Sequence, residues 1–525
     1  MDSVLPLFVA IPLLCAALCV IAPNRFVRAA LHVAVPAAGV VAGMWLFAET
    51  MQHGVLAHNV GEYVGGISIP FTADPFTGLM VAATSVVAVA ANWFATVARE
   101  VRARYYCALS LMLLAGVNGA LMTGDLFNLF VFIEVMLLPS YGLIAMTGTW
   151  SRLAGGRTFV LVNLLASTIL LIGVALVYAT AGSANMAVLA GAAHGNGPVT
   201  VAMGLVVIAL CMKAGVFPVH TWLPRTYPGT SASVMGLFSG IHTKVAVYAL
   251  FRIYVIIFDM DSRWAGLIAL VMCISMLIGG FGGLAEYSMR RIIGYQMVNG
   301  MPFILVMFAF TQADPAHALA AGMFYMVHHM VTIGSLVLTA GSIEETYGTG
   351  SISKLTGLMR RDPMVATVFV MGAFSIVGFP PFSGVFGKLF IVFQIAKAHS
   401  VMGWVVIAVI VVASFGALLS MVRLWREVFW GQNMKAPEGL FVPMSKLAPG
   451  ASLAILSVAM FFGAGVLTEA TVDAAGSLVN VPAYQRAVLG DVDTAVGLDG
   501  ADVQAPLHSE PEPVPAVATE LGKAE

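Results

Sequence analysis

Four charged side chains stand inside long apolar stretches of this sequence, and their types are those that carry protons in proteins. Glu134 is the only charged residue in the apolar run that follows Asp125, and Lys213, Lys244 and Lys388 each lie in a different apolar segment. A charged group in the middle of a membrane-spanning helix costs about 2.5–3.5 kcal/mol to insert. Such a group is therefore partnered, neutralised or placed in a hydrated cavity. It serves either a structural ion pair or a proton or cation site.

Two of the lysines lie beside predicted helix breaks. Lys213 is five residues before a proline in ALCMKAGVFPVHTWLP, and Lys388 follows the Gly-Phe-Pro-Pro sequence of SIVGFPPFSGVFGKLF. Proline removes a backbone donor and clashes with the preceding turn, so a helix bends or ends there. A single kink of this kind is common. Two kinks, one in each half of a membrane chain and each beside a buried lysine, are typical of a transport site between internal repeats. The predicted breaks are at Pro218, Gly378, Pro380 and Pro381.

Lysine suits proton transfer inside a membrane because burial disfavours its charged form whereas a nearby carboxylate favours it. The hypothesis is that Glu134 pairs with Lys213 and biases whether that lysine holds its proton. Lys244 then relays the proton through the middle of the chain, and Lys388 serves a second half-channel. Three lysines and a glutamate in separate apolar segments favour this interpretation over a purely structural ion pair.

The histidines fill the gaps between these groups. His329, in FYMVHHMVTIGSLVL, is expected near mid-span, where its imidazole would bridge Lys244 and Lys388. His328 is turned by about 100° from it on a helix, so the two rings are not expected to face one path. His242 is expected to point away from Lys244. For each histidine, a hydrogen-bonded packing role is the alternative.

The composition identifies a membrane protein with many spans. Of 525 residues, 60% are hydrophobic and 10% are charged, and the mean hydropathy is +0.93. No soluble globular domain has this balance. The first apolar stretch follows Asp2 and precedes Arg25 and Arg28, whereas a cleavable signal peptide carries its positive charges in front. We therefore predict a retained first helix and an all-α, multi-pass protein of the cell (plasma) membrane.

Apolar runs bounded by charges or by Gly and Pro predict about 14 spanning helices of about 20 residues each. Lys and Arg concentrate in cytoplasmic connections, so their distribution tests the layout. Of the 25 Lys and Arg, 17 lie in or beside odd-numbered connections, and three, Arg252, Arg263 and Lys397, are assigned to even-numbered ones. Two lie in the tail, and the other three are the buried lysines. Odd-numbered connections are therefore predicted to be cytoplasmic and both termini to be outside.

The end of the chain differs from the rest in charge. From Leu467 onward it holds ten acidic and two basic residues, a charge of −8, which leaves +7 for the rest of a chain whose total is −1. Its last residues are rich in Ala, Gly, Asp and Pro. We therefore predict a membrane domain over residues 1–467 and an acidic, largely disordered tail over 468–525.

The stretches that carry these residues resemble the antiporter-like subunit family shared by Mrp-type (multiple resistance and pH) Na⁺/H⁺ antiporters and respiratory complex I. The resemblance covers about residues 75–430 and rests on four pieces together: the Glu134 helix, KAGVFPVHTWLP with Lys213, GIHTKVAVYALFRIY with Lys244, and GFPPFSGVFGK with Lys388. GDLFNLFVFIEVMLLPSYGLI is most similar to the D-type branch of the Mrp antiporter subunits. The nearest complex I subunit usually carries Glu in place of Lys388, which also favours the Mrp branch.

This resemblance implies 14 helices arranged as two inverted five-helix repeats, about residues 106–257 and 264–425, in which helices 7 and 12 are broken. It also implies a hydrophilic axis for proton translocation through the membrane domain. The residues of this axis, called the axis residues below, are Glu134, Lys213, Lys244, His329 and Lys388. The acidic tail is not a feature of the family.

The sequence therefore predicts a proton-translocating subunit of a multisubunit Na⁺/H⁺ antiporter, a secondary transporter rather than an enzyme, which acts with other membrane subunits in pH homeostasis. The alternative is a proton-pumping subunit of a redox-driven complex of the complex I or membrane-hydrogenase type. A redox enzyme with its own haem or quinone would need paired histidine ligands or a cofactor motif. A purely structural scaffold would not need three buried lysines.

No cofactor, metal site or nucleic-acid partner is predicted. The five cysteines lie in apolar runs without a CxxC pair, which indicates small packing residues. Sodium is a hard cation that prefers several oxygen ligands, and a single buried carboxylate is too few to form its site. The sequence leaves the cation and its site open, with a partner subunit as one location.

Overall fold

The structure is a computed structural model that describes residues 2–146, 150–432, 434 and 439–490. Over these residues the chain forms a bundle of long helices with one short β-hairpin. The strands β1 (Leu56–Asn59) and β2 (Pro70–Ala73) are antiparallel, and their register pairs Leu56 with Ala73.

The described α-helices are numbered in the order in which they follow one another along the chain. The α-helices are α1 Leu7–Ile21, α2 Arg25–His53, α3 Pro75–Val97, α4 Tyr106–Met122, α5 Leu126–Ala145, α6 Trp150–Ala181, α7 Gly197–Ala214, α8 Trp222–Thr226, α9 Ala232–Leu237, α10 Thr243–Arg252, α11 Ala265–Gly282, α12 Met289–Leu305, α13 Pro315–Tyr347, α14 Leu358–Arg361, α15 Pro363–Val377, α16 Ser383–Lys397, α17 Val401–Val428, α18 Met444–Phe462, α19 Ala464–Val479 and α20 Val481–Leu489. Two π-helical turns, Phe238–His242 and Ile253–Ile257, flank α10.

Twelve helical segments of the described residues are long and apolar enough to cross a membrane. Two further helices of the described residues, α4 and α15, are apolar but shorter. The predicted all-α, multi-pass architecture is therefore confirmed. The count of fourteen crossings and the two inverted repeats remain predictions.

Two spans are interrupted at the positions where glycine and proline predict it. α7 ends before Gly215, whose φ is +74°, and the chain becomes helical again in α8 at Trp222. α15 ends before Gly378, whose φ is +98°, and α16 begins at Ser383. Glycine ends both helices because a left-handed residue without Cβ carries little steric penalty. Each break also contains a cis peptide bond before a proline.

The longest helix, α13, runs through the centre of the bundle. Asp314 caps its start by accepting a hydrogen bond of 3.2 Å from the His317 amide, Pro315 fits its first turn, and Gly348 ends it with a φ of +72°. Every residue from 318 to 343 is buried. α13 packs against α3, α9, α12, α15, α16, α18 and α19, so its side chains can reach both broken spans.

The first and last described elements lie on the same side of the bundle. The 3₁₀ turn Asp2–Val4 and α20 both pack against β1. Asn59 Nδ2 donates to the Val488 carbonyl at 3.3 Å, and Gln485 Nε2 donates to the Ala187 carbonyl at 3.1 Å. This arrangement agrees with an even number of crossings. Which side is outside remains a prediction.

The predicted boundary between the membrane domain and the tail, at residue 467, needs correction because it falls inside α19. α19 continues from α18 and packs against α13 and α3, and α20 covers the hairpin. Leu478, Tyr484 and Val488 are buried, because the apolar residues of these two helices lie on one face despite the acidic composition. Residues 491–525, the rest of the predicted tail, lie outside the described residues.

Candidate proton-transfer site

The first pair of charged axis residues is joined through a hydroxyl group. Glu134 lies in α5 and is half-buried, whereas Lys213 lies in the last turn of α7 with 2% of its surface exposed. Ser167 of α6 stands between them: its Oγ donates to Glu134 Oε1 and accepts a hydrogen bond of 2.9 Å from Lys213 Nζ. A hydroxyl that donates to one charge and accepts from the other is suited to pass a proton between them.

Sequence reasoning misses Ser167, because serine is common in membrane helices and bonds there to its own backbone. Its position carries a signal nonetheless. Asn163 lies one turn earlier on α6, and both side chains are buried, with 1% and 4% of the residue surface exposed. Two buried polar side chains four residues apart mark the face of an apolar helix that turns inward.

We expect Ser167→Ala to slow proton transfer about three- to tenfold, the factor that corresponds to one hydrogen bond of about 1 kcal/mol. The substitution removes the bridge and leaves both charged groups in place. The measurement is the rate of proton movement in vesicles that hold the assembled protein. The matched control is Thr168→Ala, because Thr168 is exposed and its hydroxyl bonds to the Leu164 carbonyl of its own helix at 2.9 Å. A Ser167→Ala protein that is as fast as this control would contradict a bridging role.

The break after α7 is lined by groups that satisfy the free backbone. Trp222 Nε1 donates to the Met212 carbonyl at 3.0 Å, and the Phe217 amide donates to Ser275 Oγ at 3.0 Å. Irregular backbone at membrane depth requires such partners. Lys213 lies at the C-terminal end of α7, where the helix dipole and the free carbonyls favour a cation.

Lys244 is fully buried and bonds to its own helix. Its Nζ donates to the Ser239 carbonyl at 2.7 Å and lies 3.4 Å from Thr243 Oγ1. Ser239 belongs to the π-helical turn Phe238–His242, and such turns are frequent at functional sites because they rearrange the backbone bonding of a helix. The structure therefore places Lys244 in a polar environment made by the irregular turn itself.

His329 of α13 faces α12. Its Nε2 lies 3.3 Å from the Gln296 carbonyl, and its ring lies over Gly300. A Cβ atom at Gly300 would stand 1.9 Å from Nε2, so only glycine leaves room for the imidazole there. That this ring bridges Lys244 and Lys388 remains a prediction.

Lys388 reaches back across the second helix break. Its Nζ donates to the carbonyl of Val377, the last residue of α15, at 2.7 Å and to Ser414 Oγ of α17 at 3.0 Å. The ammonium group also stands 5.1 Å from the centre of the Phe303 ring, within cation–π distance. The ammonium groups of Lys213 and Lys388 therefore both lie at the C-terminal end of the half-helix that precedes a break.

His328 and His329 face different helices, as their spacing on α13 predicts. His328 turns away from α12 and towards α15, α16 and α18, where Ser383 Oγ lies 2.8 Å from its Nδ1. His242 packs against the stacked rings of Phe159 and Phe238, with ring centres 5.8 Å and 5.6 Å away.

Buried polar atoms without a protein partner lie along the same route. Within the described residues, both ring nitrogens of His242, both amide atoms of Gln296, Asn299 Oδ1 and His329 Nδ1 make no hydrogen bond. Buried polar groups are rarely left unpaired, and ordered water serves where protein groups do not. We therefore expect water between Lys213, Lys244 and His329.

Comparison with known proteins places this arrangement in a family. The family model described as NADH:quinone oxidoreductase/Mrp antiporter, transmembrane, matches residues 123–416, which include all the axis residues. A protein from Alkalihalophilus pseudofirmus, named as the D subunit of an Na⁺/H⁺ antiporter, is 32% identical over 454 residues, 85% of this chain and 91% of that protein. One of the same name from Bacillus subtilis is 30% identical over 498 residues, 93% and 100% of the two chains.

Solved structures agree with the sequence comparison. A chain of the Mrp complex from Dietzia sp. DQ12-45-1b superposes with a TM-score of 0.89 and 37% identity, and the match covers 93% of this chain and 99% of that one. A chain of the archaeal membrane-bound sulfane sulfur reductase has a TM-score of 0.80 at 22% identity, and one of respiratory complex I from Thermus thermophilus has 0.75 at 21%. These last two share the fold.

Proposed function

This chain belongs to the NADH:quinone oxidoreductase/Mrp antiporter family, as a D-type subunit of a multisubunit cation/proton antiporter, and we propose that it carries the protons of that exchange along the axis residues. It is a subunit of a transporter rather than an enzyme, and its partners are the other subunits of the complex. Its relatives are named as sodium/proton antiporter subunits, so sodium is the exchanged cation in this proposal.

The observation that supports the route most directly is the contact of Glu134, Ser167 and Lys213. A carboxylate, a hydroxyl and an ammonium in one hydrogen-bonded line form a unit that can hold or release a proton according to the charge nearby. Each proton moved across 100 mV changes the free energy by about 2.3 kcal/mol, so the movement must be coupled to another gradient.

The proposal assigns this chain the proton route alone. Sodium prefers several oxygen ligands, and Glu134 is the one carboxylate among the axis residues. We propose that the sodium site involves another subunit of the complex.

A redox-driven proton pump is the second candidate. The observation in its favour is the shared fold with the sulfane sulfur reductase and complex I chains. At 21–22% identity these likenesses support the architecture, whereas the two antiporter relatives and the Mrp chain are 30–37% identical. Exchange without an electron donor is therefore the favoured function.

The test uses everted membrane vesicles from cells that express the whole set of subunits. A pH gradient is preset without an electron donor, NaCl is added, and a pH-sensitive dye reports the gradient. We expect sodium to collapse the gradient, choline chloride to leave it unchanged, and vesicles that lack this chain to show no response.

A sodium response that is equally large without this chain would contradict its role in proton transfer. No sodium response, together with proton pumping after addition of NADH or another reductant, would move the chain to the redox-driven class.

A further inference from the structure

Five buried side chains form a closed ring of hydrogen-bond contacts at the break between α15 and α16. His328 and Thr332 lie on α13, Ser375 on α15, Ser383 on α16 and Ser457 on α18, and each is 0–1% exposed. The two halves of the broken span thus contribute one serine each. Of these five side chains, only the imidazole from α13 is readily ionised. We call this set the hydroxyl ring.

The contact distances define the order of the hydroxyl ring. Ser383 Oγ lies 2.8 Å from His328 Nδ1 and 2.9 Å from Ser457 Oγ. Ser375 Oγ lies 2.7 Å from Ser457 Oγ and 2.9 Å from Thr332 Oγ1. Thr332 Oγ1 closes the ring at 3.3 Å from His328 Nδ1, and this contact is the longest.

Counting protons shows what such a ring can do. If His328 Nδ1 carries a proton, it donates to Ser383, and the hydroxyls donate in turn to Ser457, Ser375 and Thr332. If Nδ1 carries none, every hydroxyl reverses and Ser383 donates to Nδ1. Four hydrogen bonds exist in either direction, since each hydroxyl can donate and accept. His328 therefore keeps its contact at Nδ1 in each of its protonation states, and no buried partner is left unpaired.

The other nitrogen of the same ring lies beside the face of α16 that carries Lys388. His328 Nε2 is buried and has no hydrogen-bond partner among the described residues. It is directed at Gly384, where an added Cβ would lie 3.1 Å away, and Gly384 is one helical turn before Lys388. A Cβ at Gly378 would stand 3.1 Å from Lys388 Cδ. A Cβ at Gly384 would also stand 1.9 Å from the Ser375 carbonyl oxygen, so glycine at these two positions lets the imidazole and the lysine side chain pack closely against the break.

We propose that His328 exchanges a proton with Lys388 through water, and that the hydroxyl ring positions the imidazole for this step. The proposal rests on the proposed function and adds a relay residue to it. An N–H bond of the Lys388 ammonium breaks and a bond from Nε2 of neutral His328 to the proton forms, which leaves a neutral amine and an imidazolium. The reverse step restores both groups, and no other reactant is needed. His329, on the neighbouring face of α13, remains against α12.

Ser457 is the positioning residue of the ring. It lies on α18, beyond residues 123–416 that the family model matches, and its hydroxyl contacts both Ser375 and Ser383. It therefore links the two sides of the break and acts on His328 only through other hydroxyls: Ser383 on one side, and Ser375 with Thr332 on the other.

The test is the sodium-driven collapse of a preset pH gradient by the whole complex in everted vesicles, with His328→Asn as the main variant. The asparagine amide stands where Nδ1 stands and can donate or accept, but it does not take up a proton. We expect normal co-purification of the other subunits, a maximal exchange rate lowered by roughly tenfold or more, and an unchanged sodium concentration for half-maximal rate.

Serine variants keep the proposal testable if His328→Asn fails to assemble. Ser457→Ala should lower the maximal rate, and Ser457→Thr, which retains the hydroxyl, should restore it. Ser452→Ala on the same helix is the control, because Ser452 bonds to the Pro449 carbonyl of its own turn at 2.8 Å. An assembled His328→Asn complex with the wild-type rate would overturn the relay, as would equal rates for Ser457→Ala and the control. A wild-type complex without any sodium response would instead overturn the proposed function.

Discussion

Lys213→Ala should lower sodium-driven proton transfer by roughly 100-fold or more, the contribution typical of a group that holds the proton in transit. Lys213 is buried, its ammonium donates to Ser167 Oγ at 2.9 Å, and it lies at the helix end that precedes the first break. Alanine removes the proposed proton carrier and leaves Glu134 without its bridged cation. The rate is measured by the dye response in everted vesicles that contain equal amounts of assembled complex.

Lys213→Arg separates a proton carrier from a structural ion pair. Arginine keeps the positive charge near Ser167 and Glu134, but it does not release its proton in proteins. We therefore expect Lys213→Arg to be as slow as Lys213→Ala. Lys397→Ala, at the exposed end of α16, is the control for loss of a lysine. A Lys213→Arg complex that exchanges at the wild-type rate would show that the charge serves structure alone.

The hydrogen-bonded contact of Glu134, Ser167 and Lys213 also predicts that the rate losses caused by substituting Glu134 and Lys213 are not additive. Glu134→Gln removes the carboxylate charge that Ser167 links to Lys213. Because the three groups act as a unit, the Glu134→Gln, Lys213→Ala double variant should be about as slow as Lys213→Ala.

The sequence is sufficient to locate most of this site because the cost of burying charge makes ionisable residues rare in apolar segments. Glu134 and the three buried lysines stand out for that reason alone, and glycine and proline mark the two breaks beside them. Ser167 and Ser457 do not stand out, because a hydroxyl costs little to bury and its partner is visible only when the helices are assembled. The hydroxyl ring depends on how four helices pack together, and the sequence pattern does not show that packing.

Charge composition predicts where structural elements begin and end less reliably than hydrophobic periodicity does. The acidic balance after Leu467 predicts a tail, although α19 and α20 occupy its first part and bury one apolar face. The π-helical turns around α10 likewise have no sequence signal, since they depend on packing. Helices with long apolar runs are predictable because the bilayer itself selects for them.

Arg252 shows how tertiary pairing overrides an assignment based on charge. The sequence assigns Arg252 to a connection between helices, and this assignment is wrong. Arg252 lies in the last turn of α10 with 6% of its surface exposed. One guanidinium nitrogen donates to Asp74 Oδ1 at 2.6 Å and to Thr77 Oγ1 at 2.9 Å, and Nε donates to Tyr248 Oη at 3.0 Å. The Tyr248 hydroxyl donates to the Leu121 carbonyl at 2.7 Å. This network joins α10 to the start of α3 and to the end of α4.

Arg252→Met should destabilise the complex strongly, because it leaves the Asp74 carboxylate buried without a cation. Removing one partner of a buried ion pair costs about 3–5 kcal/mol. We expect a low yield of assembled complex and a lower midpoint of thermal unfolding in detergent. Adding Asp74→Asn should recover much of the loss, since asparagine removes the charge and still accepts the capping hydrogen bond of the Thr77 amide, which Asp74 receives at 2.9 Å. Arg426→Met is the matched control: the side chains of Arg426 and its partner Glu427 are 65% and 41% exposed, and exposed pairs contribute little. If Arg252→Met were as stable as this control, the buried pair would not be what holds α10 against α3.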